Sequence, residues 1–213
     1  MKNYILINPE LTAKIEQLFF SDDESNVALA CALMKTGGMP PKIQNALQNQ
    51  GSQLFFLIRY GLIYPFLEHT HLDLSRLGLK HIPDEIGQLK QLTLLNLFYN
   101  QLTSIPALVC NLESLKTLWL HHNQLTSIPE NLDRLTALEE LVLSFNQLTQ
   151  LPASLDKLTN LKALYLHHNS LENLPITLKN LPQLQKITLW NNAFTPEETL
   201  TLKETFYPVE LVF

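Results

Sequence analysis

The stretch LWLHHNQL at residues 118–125 returns 46 residues later as LYLHHNSL at residues 164–171. Leu118 and Leu120 alternate with outward positions, which is the two-residue period of a β-strand with one buried face. A polar turn follows, and then a looser segment with apolar residues spaced three apart from Leu132 to Leu138. The stretch therefore predicts a short strand, a bend and an irregular return segment.

Half of that interval, 23 residues, is the period of residues 69 to 194. Prolines recur at Pro83, Pro106, Pro129, Pro152 and Pro175. Asparagines recur at Asn100, Asn123, Asn146, Asn169 and Asn192. Leucines fill further positions of the same frame, one of them at Leu74, Leu97, Leu120, Leu143, Leu166 and Leu189. One such unit cannot bury its own apolar face, so the units must stack into a solenoid with a shared core.

The unit L-x-x-L-x-L-x-x-N-x-L-x-x-[IL]-P-x-x-L-x-x-L resembles the leucine-rich repeat family over residues 69 to 194, about six units. The 23-residue length is most similar to the intracellular Ras-suppressor and Scribble-like subclass, which is also common in bacteria. The resemblance implies an α/β solenoid, a curved horseshoe with a parallel β-sheet on its concave face. It also implies an interaction module without catalysis.

The asparagine column has a structural interpretation. A buried amide at the bend after each strand can satisfy backbone groups that the turning chain leaves unpaired. The first unit departs from the pattern, with Leu77 in the asparagine position and His69 in a leucine position. A terminal unit that faces a different kind of neighbour is expected to differ in this way.

Residues 1–68 lack the repeat and are predicted to form a helical N-terminal cap. Asn8-Pro9 begins a first helix, Ser21 to Glu24 matches a capping box for a second that ends at Gly37-Gly38, and a short third follows Pro40-Pro41. A longer apolar helix from about Ser52 to Leu67 is apolar enough to cover the end of the solenoid core.

Residues 195–213 are predicted to form a C-terminal cap. Pro196 to Phe206 is typical of a helix, and Pro208 to Phe213 of a final strand with Leu211 and Phe213 facing inward. The chain is therefore expected to be complete at both ends.

Composition narrows the function classes. The apolar run from Leu54 to Leu67 is shorter than the roughly 20 residues of a membrane span, and the first residues lack the apolar core of a secretory signal. Cys31 and Cys110 form no metal or disulfide pattern, so we expect a cytoplasmic protein. A net charge of -5 without a basic cluster argues against nucleic acid. We expect a monomer with no cofactor.

The two histidine pairs raise the possibility of a metal or catalytic site. Strand alternation would point His121 and His122 to opposite faces, and the pairs lie two strands apart, roughly 9.6 Å between backbones. Neighbouring positions supply no third zinc ligand, and no acid is placed to orient a histidine beside Ser144. We therefore predict neither a metal site nor an enzyme.

The outward positions of the strands are unusually rich in aromatic and imidazole rings, and they include both tryptophans of the chain. Exposed tryptophan and tyrosine are typical of binding hot spots. The predicted partner-binding residues are Asn96, Phe98, Tyr99, Trp119, His121, His122, Ser144, Phe145, Tyr165, His167, His168 and Trp190.

These residues predict a scaffold that binds a protein or peptide on the concave face. Two alternatives stay open: recognition of a small molecule or glycan by the same aromatic residues, or an adaptor whose helical N-terminal domain has its own partner.

Deleting residues 1–66 should expose the end of the repeat core if the helical segment is a cap. We expect aggregation in light scattering or loss of cooperative thermal unfolding. A truncated chain that stays monomeric and melts at an unchanged temperature would favour an independent domain.

Overall fold

The computed structural model describes residues 9–37, 39–47, 59–60 and 67–213. The chain divides into two compact units, Met1–Leu67 and Glu68–Phe213. No helix in the described ranges is both long and apolar enough to cross a membrane.

The described part of the first unit is helical, with α1 at Pro9–Phe19, α2 at Glu24–Gly37 and α3 at Pro41–Leu47. Helix α1 packs on α2 and contacts α3, and it buries Ile15, Leu18 and Phe19. Leu11, predicted to belong to the same apolar stripe, is 36% exposed. Asn8 and most of the helix predicted from Ser52 to Leu67 lie outside the described residues.

The start of α2 differs from the predicted capping box. The helix begins at Glu24, and the Oδ1 of Asp23 accepts a hydrogen bond from the backbone N–H of Ser25 at 2.8 Å. Ser21 lies further upstream, where its Oγ accepts from the N–H of Asp23 at 3.2 Å. Asp23 is the N-cap because its carboxylate both accepts from a free helical N–H and complements the positive end of the helix dipole.

The second unit is built on a seven-stranded parallel sheet whose strands follow chain order. The strands are β1 (His71–Asp73), β2 (Leu94–Asn96), β3 (Thr117–Trp119), β4 (Glu140–Val142), β5 (Ala163–Tyr165), β6 (Lys186–Thr188) and β7 (Glu210–Val212). From β1 to β6 each residue pairs with the residue 23 positions later, as Leu118 does with Leu141. The sequence period is therefore the register of the sheet.

The return segment of each of the first five repeats contains a short 3-10 turn that begins directly after the periodic proline. The turns are Asp84–Gln88, Ala107–Asn111, Glu130–Arg134, Ala153–Lys157 and Ile176–Asn180. Proline fits this position because its φ is fixed and it has no N–H to leave unpaired. The leucines between turn and strand are buried: Leu132, Leu135 and Leu138 are each 0% exposed.

After the last repeat the chain forms helix α4 (Pro196–Phe206) and then β7, the elements predicted from residues 196–213. Thr195 caps α4 through a reciprocal pair of bonds with Glu198. Leu211 and Phe213, predicted to face inward, are half-buried, and the Phe213 ring meets that of Phe194 edge-on at 6.0 Å.

The five periodic asparagines form a ladder of hydrogen bonds between repeats. The Nδ2 of Asn146 donates to the carbonyl of Leu143 at 2.9 Å and to that of Leu120, in the preceding repeat, at 3.0 Å. Its Oδ1 accepts from the N–H of Leu125 at 3.0 Å. The same three bonds recur at Asn100, Asn123, Asn169 and Asn192.

The residue just before the asparagine position has a positive φ in every repeat. The angles are 59° at Arg76, 56° at Tyr99, 54° at His122, 55° at Phe145, 55° at His168 and 53° at Asn191. A residue with a Cβ loses about 1–2 kcal/mol in this conformation. Interstrand bonding holds it there, since the N–H of His122 donates to the carbonyl of Ser144 at 3.1 Å.

Replacing Asn146 by alanine should lower the free energy of unfolding by at least about 2 kcal/mol. The change leaves buried backbone groups without partners, each at a cost of about 1–3 kcal/mol. Urea unfolding measures the difference. Asn180→Ala, at an exposed asparagine that ends a 3-10 turn, is the matched control. Equal stability of the two variants would contradict a structural role for the ladder.

Candidate binding site

The exposed face of the sheet presents side chains in columns because successive repeats are in register. Two columns lie just after the ends of the strands. The inner column is the second residue after each of the strands β1 to β6 and the outer column is the third. The inner column holds Ser75, Phe98, His121, Ser144, His167 and Trp190. The outer column holds Arg76, Tyr99, His122, Phe145, His168 and Asn191.

The expectation that the two histidines of a pair point to opposite faces is wrong. His122 and His168 have left-handed backbone, so strand alternation ends before them. The ring centroids lie 5.9 Å apart for His121 and His122 and 6.0 Å apart for His167 and His168. Both rings of each pair therefore lie side by side on the same face.

Four pairs of rings from successive repeats stack within the columns. In the inner column Phe98 stacks on His121 with centroids 4.2 Å apart. In the outer column Phe145 lies between His122, at 4.1 Å, and His168, at 4.0 Å. These separations follow from the strand spacing of about 4.8 Å.

Contacts between the columns join the stacks into one surface. The ring of Phe145 meets that of His167 edge-on at 5.5 Å, and the ring of His168 meets that of Trp190 edge-on at 4.4 Å. We call the whole cluster the ring strip. It consists of Phe98, Tyr99, His121, His122, Phe145, His167, His168 and Trp190.

Not every predicted binding residue is accessible. Asn96 is 8% exposed and Ser144 is 2% exposed, so the expectation that they project from the face is wrong. Ser144 is small and lies in a column between the larger His121 and His167, and the Oδ1 of Asn96 turns back to accept from the N–H of Phe98 at 3.0 Å. Neither side chain offers a partner useful surface.

The remaining predicted residues are at least partly accessible. Tyr99 is 58% exposed and Trp190 is 37% exposed, the largest values in the ring strip. Trp119 and Tyr165, each the last residue of its strand, are half-buried in the column next to the ring strip. The Nε1 of Trp119 donates to the Oε1 of Glu140 at 2.7 Å, which fixes the orientation of the indole. Tyr99 and Trp190 are therefore the most accessible anchors of the surface.

The carboxylates on the exposed face of the sheet already have hydrogen-bond or ion-pair partners. Besides Glu140, bound to Trp119, Asp73 accepts from the N–H of Ser75 at 2.9 Å, and Glu210 lies 3.4 Å from Lys186. Arg76 instead lies over aromatic rings, 5.2 Å from the centroid of Phe98 and 5.7 Å from that of Tyr99. Among the described residues no carboxylate pairs with Arg76, so its guanidinium can bind an external acid.

Three of the four histidines are held neutral near pH 7. Burial lowers the pKa of His121, His122 and His167 below the ordinary 6.5, and neighbouring imidazoles lower each pKa further. Burial disfavours the charged imidazolium, and a second cation nearby repels it.

The surroundings of two of the histidines favour one tautomer. The Nδ1 of His121 is buried without a hydrogen-bond partner in the described chain. The Nδ1 of His167 lies 2.8 Å from Thr188 Oγ1, and that of His168 lies 3.1 Å from Asn191 Nδ2. An acceptor at Nδ1 suits His121 and His167, because unpaired buried N–H groups are rarer than unpaired acceptors, and the ring proton of these two then belongs to Nε2. The contacts of His168 favour neither tautomer, since its Nε2 also lies 3.4 Å from Asn191 Nδ2.

No group of three or more histidine, cysteine, aspartate or glutamate side chains in the described part of the chain is placed to hold a metal ion. The absence of a native metal, cofactor or enzyme activity stays a prediction.

Sequence reasoning missed the left-handed column and the stacking it permits. The signal was present in the spacing: ring residues 23 positions apart lie on neighbouring strands, within stacking distance. The repeat register places Arg76 at the same outward position as Tyr99 and His122, but Arg76 was not among the predicted binding residues.

Comparisons with known proteins agree on one fold. A search of curated proteins gave no significant match. Among solved structures, a leucine-rich repeat protein of Leptospira interrogans is 32% identical with a TM-score of 0.68, over 76% of this chain and 39% of its own. The ectodomain of a membrane receptor kinase of Arabidopsis thaliana, solved in complex with Casparian strip integrity factor 2, is 31% identical with a TM-score of 0.56, over 68% of this chain and 17% of its own.

An internalin of Listeria monocytogenes has the same fold at 21% identity, with a TM-score of 0.56 over 70% of this chain and 43% of its own. The chain thus spans less than half the length of each of these structures. The family model for a leucine-rich repeat region matches residues 66–205. The repeats, the parallel sheet and this match together establish that the chain belongs to the leucine-rich repeat family.

Proposed function

We propose that this chain is a protein-interaction scaffold that binds a protein or peptide on the exposed sheet face, at the ring strip. The observation that carries the proposal is the continuity of eight rings across the five strands β2 to β6. Proteins of this family typically serve as binding scaffolds. The Arabidopsis receptor, with a similar fold, was itself solved in complex with another molecule.

The exposure of the rings is better explained by binding of a partner than by packing within the protein. Large aromatic side chains bury much area at low entropic cost when a partner covers them. Tyr99 and Trp190 present such area at opposite ends of the strip, with half-buried rings between them. This distribution suits an elongated partner segment that crosses the strands.

The stacked rings favour a peptide over a glycan. A sugar that stacks on an aromatic side chain needs a free ring face, whereas neighbouring rings cover both faces of Phe145 and one face of six further rings. We further propose that the protein is a cytoplasmic monomer without catalysis, with residues 1–68 and 195–213 as caps of the repeats. An adaptor role for the helical unit is the competing proposal.

Tyr99→Ala and Trp190→Ala should each weaken partner binding by about 2 kcal/mol or more if these rings are hot spots. The measurement is quantitative affinity capture, followed by titration of the retained protein against each variant.

Ile176→Ala is the matched control, because Ile176 is also 58% exposed but lies in a 3-10 turn away from the strands. It should bind as the wild type does. Capture that is equal for the ring variants and wild type, or that is lost only in Ile176→Ala, would contradict binding at the ring strip.

A further inference from the structure

We propose that the ring strip recognises the carboxylates of an acidic, extended peptide segment, through the Nε2–H groups of its histidines and the guanidinium of Arg76. This inference rests on the proposed function and specifies the chemistry of its partner.

The stacking geometry determines which part of each ring meets a ligand. Four pairs within the columns are stacked, with centroids 4.0 to 4.5 Å apart and interplanar angles between 9° and 22°. A face that packs on another ring is closed to a ligand, and the stacks close both faces of Phe145 and one face each of Phe98, His121, His122, His167, His168 and Trp190, so the edges of these rings are the approach they have in common. Ring edges carry the positive part of the aromatic quadrupole. A cationic side chain, which needs a free face, is disfavoured.

The tautomers reinforce this preference. With Nδ1 buried in His121 and paired in His167, these two rings keep Nε2–H as a donor, whereas both ring nitrogens of His168 lie near the Nδ2 of Asn191, at 3.1 and 3.4 Å. Carboxylate oxygens are strong acceptors for such donors. The strip therefore offers a row of donors and few acceptors.

Arg76 supplies the cation for an incoming carboxylate. Its guanidinium has no carboxylate partner among the described residues and lies over Phe98 and Tyr99, whereas Lys186 is paired with Glu210. Asp73 and Glu140 accept only from uncharged N–H groups and keep their negative charge, so the favourable charge contact on this face is the one with Arg76. Nucleic acid fits less well, because the chain has no lysine or arginine cluster for its successive phosphates.

The strip also sets the length of the segment. Five strands, β2 to β6, at about 4.8 Å spacing span roughly 19 Å, and an extended peptide advances about 3.3 Å per residue. About six residues suffice to cross it. An octapeptide is therefore a suitable probe.

Acidification should strengthen binding of such a peptide. In the free protein, burial and neighbouring imidazoles lower the pKa of His121, His122 and His167, and a bound carboxylate would favour the charged form and raise the pKa of these three groups. Binding then takes up protons, so affinity rises as pH falls below about 6.5. The other titratable or charged groups facing the strip are Asp73, Arg76, Tyr99, Glu140, Tyr165, Lys186 and Glu210. An apolar partner has the opposite pH dependence, because it must expel protons to bury the rings.

The test uses three capped octapeptides that alternate leucine with glutamate, glutamine or lysine, titrated calorimetrically into the full chain at about pH 7.5 and about pH 5.5. At the lower pH the glutamate peptide should bind at least about tenfold more tightly than the glutamine peptide, as expected for charge-assisted bonds. Its affinity should rise severalfold between the two pH values. Because both tryptophans lie on the sheet face, their emission reports where the peptide binds.

Two variants separate the contribution of the histidine N–H groups and the Arg76 charge from that of ring stacking. Replacing all four histidines of the ring strip by phenylalanine keeps the stacks but removes the N–H groups, and should abolish the pH dependence. Arg76→Gln should reduce affinity for the glutamate peptide at both pH values and remains informative if the fourfold variant does not fold. His81→Phe, at an exposed histidine outside the strip, is the control.

The inference would be overturned if the glutamate peptide did not bind, bound no more tightly than the glutamine peptide, or bound more weakly on acidification. Tighter binding of the lysine peptide, or of an eight-residue oligothymidylate used as the nucleic-acid probe, would also overturn it. A different result would contradict the proposed function. If the glutamate peptide binds Tyr99→Ala and Trp190→Ala as tightly as wild type, the ring strip is not the binding site. If ring variants weaken binding without a charge preference, only the carboxylate inference is lost.

Discussion

The side-chain amide at the end of each strand is the interaction on which the rest of this repeat unit depends. A three-residue strand can stop and turn inward only if the backbone groups it leaves behind find partners. Asn146 and its four counterparts supply them, each bonding to its own repeat and to the one before. Because every amide links two repeats, the bend at one repeat stabilises the next, and the 23-residue register continues from β1 to β6.

The same bend creates the binding surface. Directly before each asparagine position the backbone is left-handed, a conformation that costs a residue with a Cβ about 1–2 kcal/mol. Glycine would relieve the strain but would carry no ring. The chain instead keeps Tyr99, His122, Phe145 and His168 there, and their rings contact one another from repeat to repeat. Local rules of this kind are commonly broken at functional sites.

The histidines of the strip combine packing with polarity. Phenylalanine would stack equally well, but it has no N–H at its edge. Burial and neighbouring imidazoles lower the pKa of His121, His122 and His167, so these rings pack as aromatic rings and still present hydrogen-bond donors. The proposed acidic peptide would change that balance by favouring the imidazolium, which links recognition to pH without any movement of the backbone.

The sequence alone determined the repeat length, the solenoid, the parallel sheet and the asparagine column, because a hydrophobic and hydrogen-bonding period repeated six times permits one way of stacking. It also located the aromatic face, since strand alternation places Trp119, His121 and their counterparts outward. The tertiary structure alone decided how those side chains meet. Strand alternation failed at His122 because a left-handed residue, stabilised by the neighbouring strand, reverses the direction of the side chain. Ser144 and Asn96 are outward by pattern but buried, because larger neighbours and a local hydrogen bond remove them from the surface. The pairing of neighbouring strands brings the rings of successive repeats into contact, and these contacts form one continuous strip.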